Sequence, residues 1–140
     1  MNYKELLIEE ALKARKNAYA PYSGFNVGAA LLTYDDKIYS GFNIENAAYS
    51  VCNCAERTAL FRAVFEGHRK FKSMAVVGGK SDEDADNLSA YSPPCGVCRQ
   101  ALREFCDPKE FEVILAKGRA EFKIFKLDDL LPESFGPEYL

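Results

Sequence analysis

The sequence has no excess of basic residues, no long apolar run and almost no histidine. Its 18 lysines and arginines are outnumbered by 21 acidic residues, and the formal net charge is -3. This balance argues against a protein that binds nucleic acid through a broad basic face. No segment approaches the roughly 20 apolar residues that a membrane-spanning helix needs, and the charged residues among the first ten argue against a secretory signal. His68, the only histidine, is expected at the surface rather than on a metal.

What the sequence does contain is typical of one globular domain. It has 140 residues, of which 48% are hydrophobic and 28% charged, and it shows no internal repeat. We therefore expect a single domain over residues 1–140. Five cysteines is an odd number, which favours thiols or metal ligands in a reducing compartment over disulfides. This predicts a cytoplasmic protein.

The spacing of apolar residues predicts an α/β fold. Helices are predicted over residues 3–18, 54–66 and 96–106, with a short helical turn over 128–131. Strands are predicted over residues 26–34, 37–43, 74–77, 112–116 and 121–126. The two-residue turn Asp35–Asp36 predicts an antiparallel hairpin, and the link 117–119 is too short for a parallel crossover. Together these elements predict a three-layer α/β/α sandwich with a five-stranded mixed sheet, interrupted by a long acidic loop at residues 79–94.

Cysteines open the second and third predicted helices. Cys95 and Cys98 are three residues apart, so the first turn of a helix places both sulfurs on one side. Helix N-termini favour the thiolate, which is the form that binds zinc. Cys54 completes a three-ligand site with an open fourth position, typical of catalytic zinc. If Cys52 also binds, the site becomes a closed four-cysteine structural knot, although a C-x-C pair is shorter than the usual spacing. Otherwise Cys52 is expected to be a small buried residue or to lie just outside the metal ligands, and Cys106 is expected to be a small core residue.

Glu56 lies in the same first turn as Cys54. From there its carboxylate can reach a zinc-bound water, whose pKa zinc lowers towards about 7, without itself being a ligand. It can take a proton from that water and return it to a leaving amine, as hydrolytic deamination requires. Arg57 follows directly. Three thiolates leave the zinc site with a formal negative charge, and we hypothesise that Arg57 donates hydrogen bonds to one of them and withdraws that charge.

These motifs resemble a known family. Residues 54–56 (Cys-Ala-Glu) with residues 94–98 (Pro-Cys-Gly-Val-Cys) resemble the signature of zinc-dependent deaminases. Residues 22–30, 41–50 and 92–100 resemble the corresponding segments of the small homotetrameric cytidine deaminases. The resemblance extends from Glu5 to about Phe135. It implies one zinc ion per subunit, a homotetramer, and hydrolysis of cytidine and deoxycytidine to uridine and deoxyuridine in pyrimidine salvage.

The resemblance also implies roles for individual residues. Asn43 and Glu45 would bind the ribose hydroxyls on the 3′ side, and Phe25 would stack on or edge the pyrimidine. The Ala55 backbone N–H and the Glu56 carboxylate would bind the polar edge of the base. The remaining implied contacts are those of Ala48 and Tyr49, which would shape the pocket, and of Phe135, which would reach the site of a neighbouring subunit.

Three other functions remain open at this point. A deaminase of the same fold could act on an aminated nucleoside antibiotic such as blasticidin S. An enzyme that edits nucleic acids would need a basic channel, which the net charge argues against. A noncatalytic zinc module would use Cys52 as a fourth ligand and leave Glu56 without a role.

Overall fold

The computed structural model describes residues 2–140 and contains the predicted order of elements. The strands are β1 (Phe25–Thr33), β2 (Ile38–Phe42), β3 (Phe71–Lys80), β4 (Glu112–Ala116) and β5 (Phe122–Lys126). The α-helices are α1 (Tyr3–Arg15), α2 (Ala55–Phe65), α3 (Gly96–Arg103) and α4 (Leu127–Leu130). Two short 3-10 helices cover Tyr49–Val51 and Pro137–Tyr139. In this part of the chain no helix is both long enough and apolar enough to cross a membrane.

The five strands form one mixed sheet in the order β2-β1-β3-β4-β5. β1 pairs antiparallel with both β2 and β3, and β4 pairs antiparallel with β5, as the short 117–119 link predicts. β3 and β4 run parallel, and the chain returns between them through α3. Because β3 and β4 are parallel and β1 is not, the start of β1 and the ends of β2, β3 and β4 lie at the same end of the sheet.

Alternate residues of the central strands supply two cores. On one face, Ala30, Ala75 and Ile114 pack against Leu7, Ile8, Ala11 and Leu12 of α1. On the other face, residues such as Leu31, Met74 and Val113 pack against α2 and α3, including Ala59 and Leu102. The period of two along each strand therefore produces the three-layer α/β/α arrangement that the sequence predicts.

Helix α2 lies unusually close to strand β2. A Cβ atom at Gly41 would stand 2.4 Å from the Ala59 backbone nitrogen and 2.7 Å from the Ala55 carbonyl oxygen. Only glycine permits this approach, so Gly41 fixes the depth at which the first turn of α2 sits against the sheet. That turn carries the motif residues 54–57.

Several segments differ from the sequence predictions, among them α3, which ends at Arg103 rather than at residue 106. Helix α1 ends at Arg15 rather than at residue 18, because the N–H groups of residues 16–18 bond to carbonyls three residues back instead of four. The Arg15 side chain turns inward and donates to the carbonyls of Asn26, Gly79 and Lys80. Strand β3 extends to Lys80, through two glycines that pair with β1. The acidic loop consequently begins later than predicted.

The acidic loop is also anchored rather than simply solvated. The Glu83 carboxylate accepts hydrogen bonds from the backbone N–H groups of Lys80 and Ser89, at 2.6 and 2.8 Å. Leu88 is buried, and Arg119 forms ion pairs with both Asp86 of the loop and Glu9 of α1. These contacts fix the path of the chain into the residues that precede Cys95.

Candidate active site

Three cysteine thiols meet where α2 and α3 begin. Cys54 and Cys95 are the residues immediately before the two helices, and Cys98 lies in the first turn of α3. The Sγ atoms of Cys54, Cys95 and Cys98 all lie within 4.8 Å of one another. The parallel β3–β4 crossover brings the two helix starts together, although Cys54 and Cys95 are 41 residues apart in the chain.

The arrangement of these thiols fits a zinc ion. Sulfur atoms about 2.3 Å from a tetrahedral zinc ion lie about 3.8 Å apart, and the Cys54 and Cys95 sulfurs are 3.8 Å apart. Cys95 is exposed, whereas Cys98 is completely buried, so the cluster has an open side and a closed side. Three thiolates with one accessible side are typical of catalytic rather than structural zinc.

Local hydrogen bonds prepare the cluster for a cation. The hydrogen bond from Cys98, with that from the Arg57 guanidinium, lowers the pKa of the Cys54 thiol to about 5. The hydrogen bond with Cys54 and burial both raise the pKa of the Cys98 thiol. The Arg57 Nη2 atom donates to the Cys54 sulfur at 3.4 Å, and this bond raises the pKa of the guanidinium. Arg57 therefore occupies the position that the charge-withdrawing hypothesis requires.

Cys52 lies outside the cluster. Its sulfur accepts a hydrogen bond from the Asn46 backbone N–H at 3.2 Å and stands 3.6 Å from the Asn46 carbonyl. The Cys52 thiol therefore orders the polar segment before α2. This position gives no support to the four-cysteine knot. Cys52 is only half-buried, so the expectation of a core position is wrong and only that of a position outside the ligands stays open, whereas Cys106 is buried as expected.

Glu56 is a buried carboxylic acid beside the thiols. It is only 4% exposed, and this burial, together with the nearby Cys54 thiolate, raises its pKa to about 7. A carboxyl group with a pKa near neutrality can both accept and donate a proton at physiological pH. Its position in the first turn of α2 also places it near the free backbone N–H groups at the helix start, including that of Ala55.

A pocket of about 400 Å³ opens above these residues. It is bounded by the two helix starts, by the beginning of β1 and by the segment that enters α3. Its lining residues are Phe25, Val27, Asn43, Cys54, Ala55, Glu56, Tyr91, Ser92, Pro93 and Cys95. The volume suits a small planar ligand that is largely enclosed.

The two polar residues predicted to bind a ribose lie on either side of the strand β1 entrance. Asn43 lines the pocket, and its amide bridges the strand by accepting from the Val27 N–H at 2.9 Å and donating to the Phe25 carbonyl at 2.8 Å. Glu45 lies in an adjacent pocket and accepts hydrogen bonds from Tyr22 N–H, Ser23 N–H and the Ser23 hydroxyl. The Ser23 bond lowers the pKa of Glu45, so its carboxylate stays charged.

The other predicted pocket residues lie outside this cleft. Tyr49 lines the adjacent pocket with Glu45 and packs edge-on against Tyr22, whereas Ala48 is exposed on the loop before it. Phe135 lies beyond α3, exposed and stacked on Tyr139, with its carbonyl bound by the Gln100 amide at 3.0 Å. Within a single chain, Phe135 is not part of the pocket.

The arrangement of the three thiols and the buried glutamate agrees with comparisons to known proteins. The model of the cytidine and deoxycytidylate deaminase zinc-binding region matches residues 1–114. The chain belongs to the cytidine and deoxycytidylate deaminase family.

Proteins of this family are similar to the chain over almost its whole length. A cytidine deaminase of Sporosarcina psychrophila is 49% identical over 136 residues, which cover 97% of this chain and 93% of that protein. A cytidine deaminase of Halalkalibacterium halodurans is 45% identical and covers 96% of each chain. The crystal structure of cytidine deaminase from Burkholderia pseudomallei has a TM-score of 0.83 at 45% identity, over 96% of this chain and 100% of that one.

Membership of the deaminase family accounts for zinc at the thiol cluster. It does not by itself explain Tyr91 and Ser92, which line the pocket but are not among the site residues that the sequence predicts. Their sequence signals are weak: both lie shortly before the cysteine motif, and Ser92 opens the segment 92–100 that resembles the family. The anchored acidic loop determines whether Tyr91 and Ser92 face the pocket, and no local sequence pattern reveals this orientation.

Proposed function

We propose that this chain hydrolyses cytidine and deoxycytidine to uridine and deoxyuridine, with release of ammonia. The observation that carries the proposal is the buried Glu56 carboxyl group, which lies beside three clustered thiols at the base of a pocket suited to a pyrimidine. Family membership and relatives named cytidine deaminase support the same activity. Cys54, Cys95 and Cys98 would hold the zinc.

Zinc, when bound by these thiolates, would supply an acidified water as the nucleophile towards an aminated ring carbon. Glu56 would take one proton from the attacking water and deliver it to the departing amine, while the water's other proton ends on the ring nitrogen beside the new C=O. One water enters and one ammonia leaves, so the exocyclic C–N bond is replaced by C=O. The pKa of about 7 lets Glu56 perform both transfers in one cycle.

The pocket lining supports a nucleoside as substrate. Phe25 would contact the ring of the base, and the Ala55 N–H at the start of α2 would bind its polar edge. Asn43, whose amide is already fixed by two backbone hydrogen bonds, and the charged Glu45 would bind the ribose on its 3′ side. Contacts on the 3′ side would discriminate only weakly between ribose and deoxyribose.

A spectrophotometric assay with cytidine, deoxycytidine, cytosine and blasticidin S tests this proposal. We expect rapid loss of the two nucleosides at comparable rates, with slow or undetectable turnover of the other two compounds. The physical reason is that cytosine lacks the ribose that Asn43 and Glu45 would bind. A preference for blasticidin S would contradict the assignment to cytidine and deoxycytidine, and a strong preference for ribose over deoxyribose would contradict the predicted 3′ contacts.

We also propose that the chain forms a homo-oligomer, in keeping with the tetramer implied by the resemblance. Support comes from apolar side chains exposed on the outer face of α2, where Phe61 and Phe65 are 52% and 88% exposed. These two residues are four apart, so they share one helix face, and with Ile44 they line a groove of about 420 Å³. Large exposed apolar patches are typical of protein–protein contacts.

A charge on this face should break the oligomer. We expect Phe65→Lys to lower the mass measured by sedimentation or light scattering, because the new ammonium group would lose its water in the contact. Phe122→Lys is the matched control. Phe122 is also exposed, but it lies on β5, the edge strand opposite β2. An assembly that survives Phe65→Lys would show that α2 does not form the contact. A monomeric wild-type protein would contradict the oligomer itself.

The site requires no disulfide, and all five cysteines are free thiols. This is consistent with the cytoplasmic location predicted from the sequence, which we retain as a proposal. We likewise propose that residues 1–140 act as one domain, because both cores are built on the same sheet.

A further inference from the structure

The candidate pocket has a second aromatic side chain that the mechanism above does not use. Tyr91 is half-buried and lines the pocket together with Phe25 and Glu56. Among the aromatic contacts of residues 2–140, Phe25 and Tyr91 do not pack on each other. Neither ring is therefore covered by the other, and both residues line the pocket.

Gly78 of strand β3 lies beneath Phe25 and Ser92, the residue next to Tyr91. A Cβ atom at this position would stand 2.4 Å from the Ser92 hydroxyl oxygen and 3.2 Å from Cε1 of Phe25. The side chains of Ser92 and Phe25 thus both pack against Gly78. The missing side chain at Gly78 allows both segments to approach the sheet.

Two lysines contact the ring of Tyr91. The ammonium groups of Lys117 and Lys123 each lie 4.7 Å from the centroid of its ring. Cation–π contacts of this kind stabilise a ring in one position. The chain before Tyr91 is also fixed, because the buried Leu88 donates its N–H to the Lys117 carbonyl at 2.8 Å.

From this arrangement we propose that Tyr91 contacts the substrate and forms the second aromatic wall for the pyrimidine, with Phe25 forming the first. Lys117 and Lys123 are positioning residues that fix this wall. The inference rests on the proposed function, because it assumes that a pyrimidine nucleoside occupies the pocket. It gives the anchored acidic loop a role, namely to carry Tyr91 to the cleft.

The test compares Tyr91→Leu and Tyr91→Phe with the wild-type holoenzyme. We expect Tyr91→Leu to raise KM for cytidine and for deoxycytidine by about tenfold, because an aromatic contact to the base is lost. The turnover number should change much less, since Glu56 and the thiols are untouched. Tyr91→Phe keeps the ring and should restore KM to within about twofold of wild type. The dissociation constant of uridine, measured by calorimetry, should follow the same order without any chemical step.

Tyr34→Leu is the matched control. Tyr34 also carries a lysine over its ring, with Lys72 Nζ 5.8 Å from the centroid, but it follows the far end of β1. We expect this variant to leave KM and uridine binding unchanged. A Tyr91→Leu enzyme with wild-type KM and uridine affinity would overturn the inference alone, while the deaminase assignment stands. A wild-type enzyme that consumes no aminated nucleoside would overturn both.

Discussion

A Glu56→Gln enzyme is expected to retain its zinc and to lose turnover of cytidine by about 10²- to 10⁴-fold, the range typical of a removed general acid–base. The amide has nearly the same shape as the carboxyl group but can neither accept nor return the proton. Glu56 is not one of the three clustered thiols, so the metal should stay in place. The measurement is kcat with cytidine, together with the zinc content of the same preparation.

The control for this substitution is Glu104→Gln, which makes the same change in an exposed glutamate at the end of α3. It should leave both turnover and zinc content unchanged. If Glu56→Gln kept more than about a tenth of wild-type turnover, Glu56 would not be the proton carrier. If the variant lost its zinc instead, the carboxylate would have to be treated as part of the metal site.

A Cys95→Ala enzyme is expected to lose both its zinc and its activity. Removing one of three thiolates leaves two protein ligands, which is fewer than catalytic zinc sites use. Cys95 is the suitable target because it is exposed, so its substitution removes a ligand without opening a cavity in the core. Metal analysis should show much less than one zinc per chain. Added zinc should reactivate chelator-treated wild type but not this variant.

Cys52→Ala provides the matched comparison. Its thiol contacts the Asn46 backbone and lies outside the cluster, so we expect one zinc per chain and nearly full activity. Loss of zinc from Cys52→Ala would revive the four-cysteine structural site. Full zinc content in Cys95→Ala would contradict the three-thiol site directly.

The order and type of the elements can be predicted from the sequence because each follows a local pattern. The sequence predicts strand β4 at residues 112–116, where it is found, since its apolar run is bounded on both sides by polar residues. The same reasoning makes strand β3 too short, because Gly78 and Gly79 are weak strand formers when considered locally. Tertiary contacts explain why these glycines lie in the strand. Ser92 occupies the space that a side chain at Gly78 would fill, and Glu83 the space at Gly79.

The site residues can be separated in the same way, into those with a local sequence signal and those placed by tertiary contacts. The thiols, Glu56 and Arg57 lie within two short motifs at helix starts, so spacing alone indicates their chemistry. Tyr91 belongs to the pocket because Leu88, Lys117 and Lys123 hold it there, and these contacts join segments distant in sequence. The ion pairs that Arg119 makes with α1 and with the acidic loop are equally nonlocal, so no local pattern indicates that this loop is anchored.

The division of the thiols between two helix starts has a consequence for how the protein assembles. Cys95 and Cys98 form a local pair as soon as α3 begins to wind, whereas Cys54 joins them across a gap of 41 residues. That gap contains α2 and β3, so bringing the third thiol to the pair requires closing a long loop of chain. The complete three-thiol site therefore exists only in the folded chain, and zinc binding is coupled to folding.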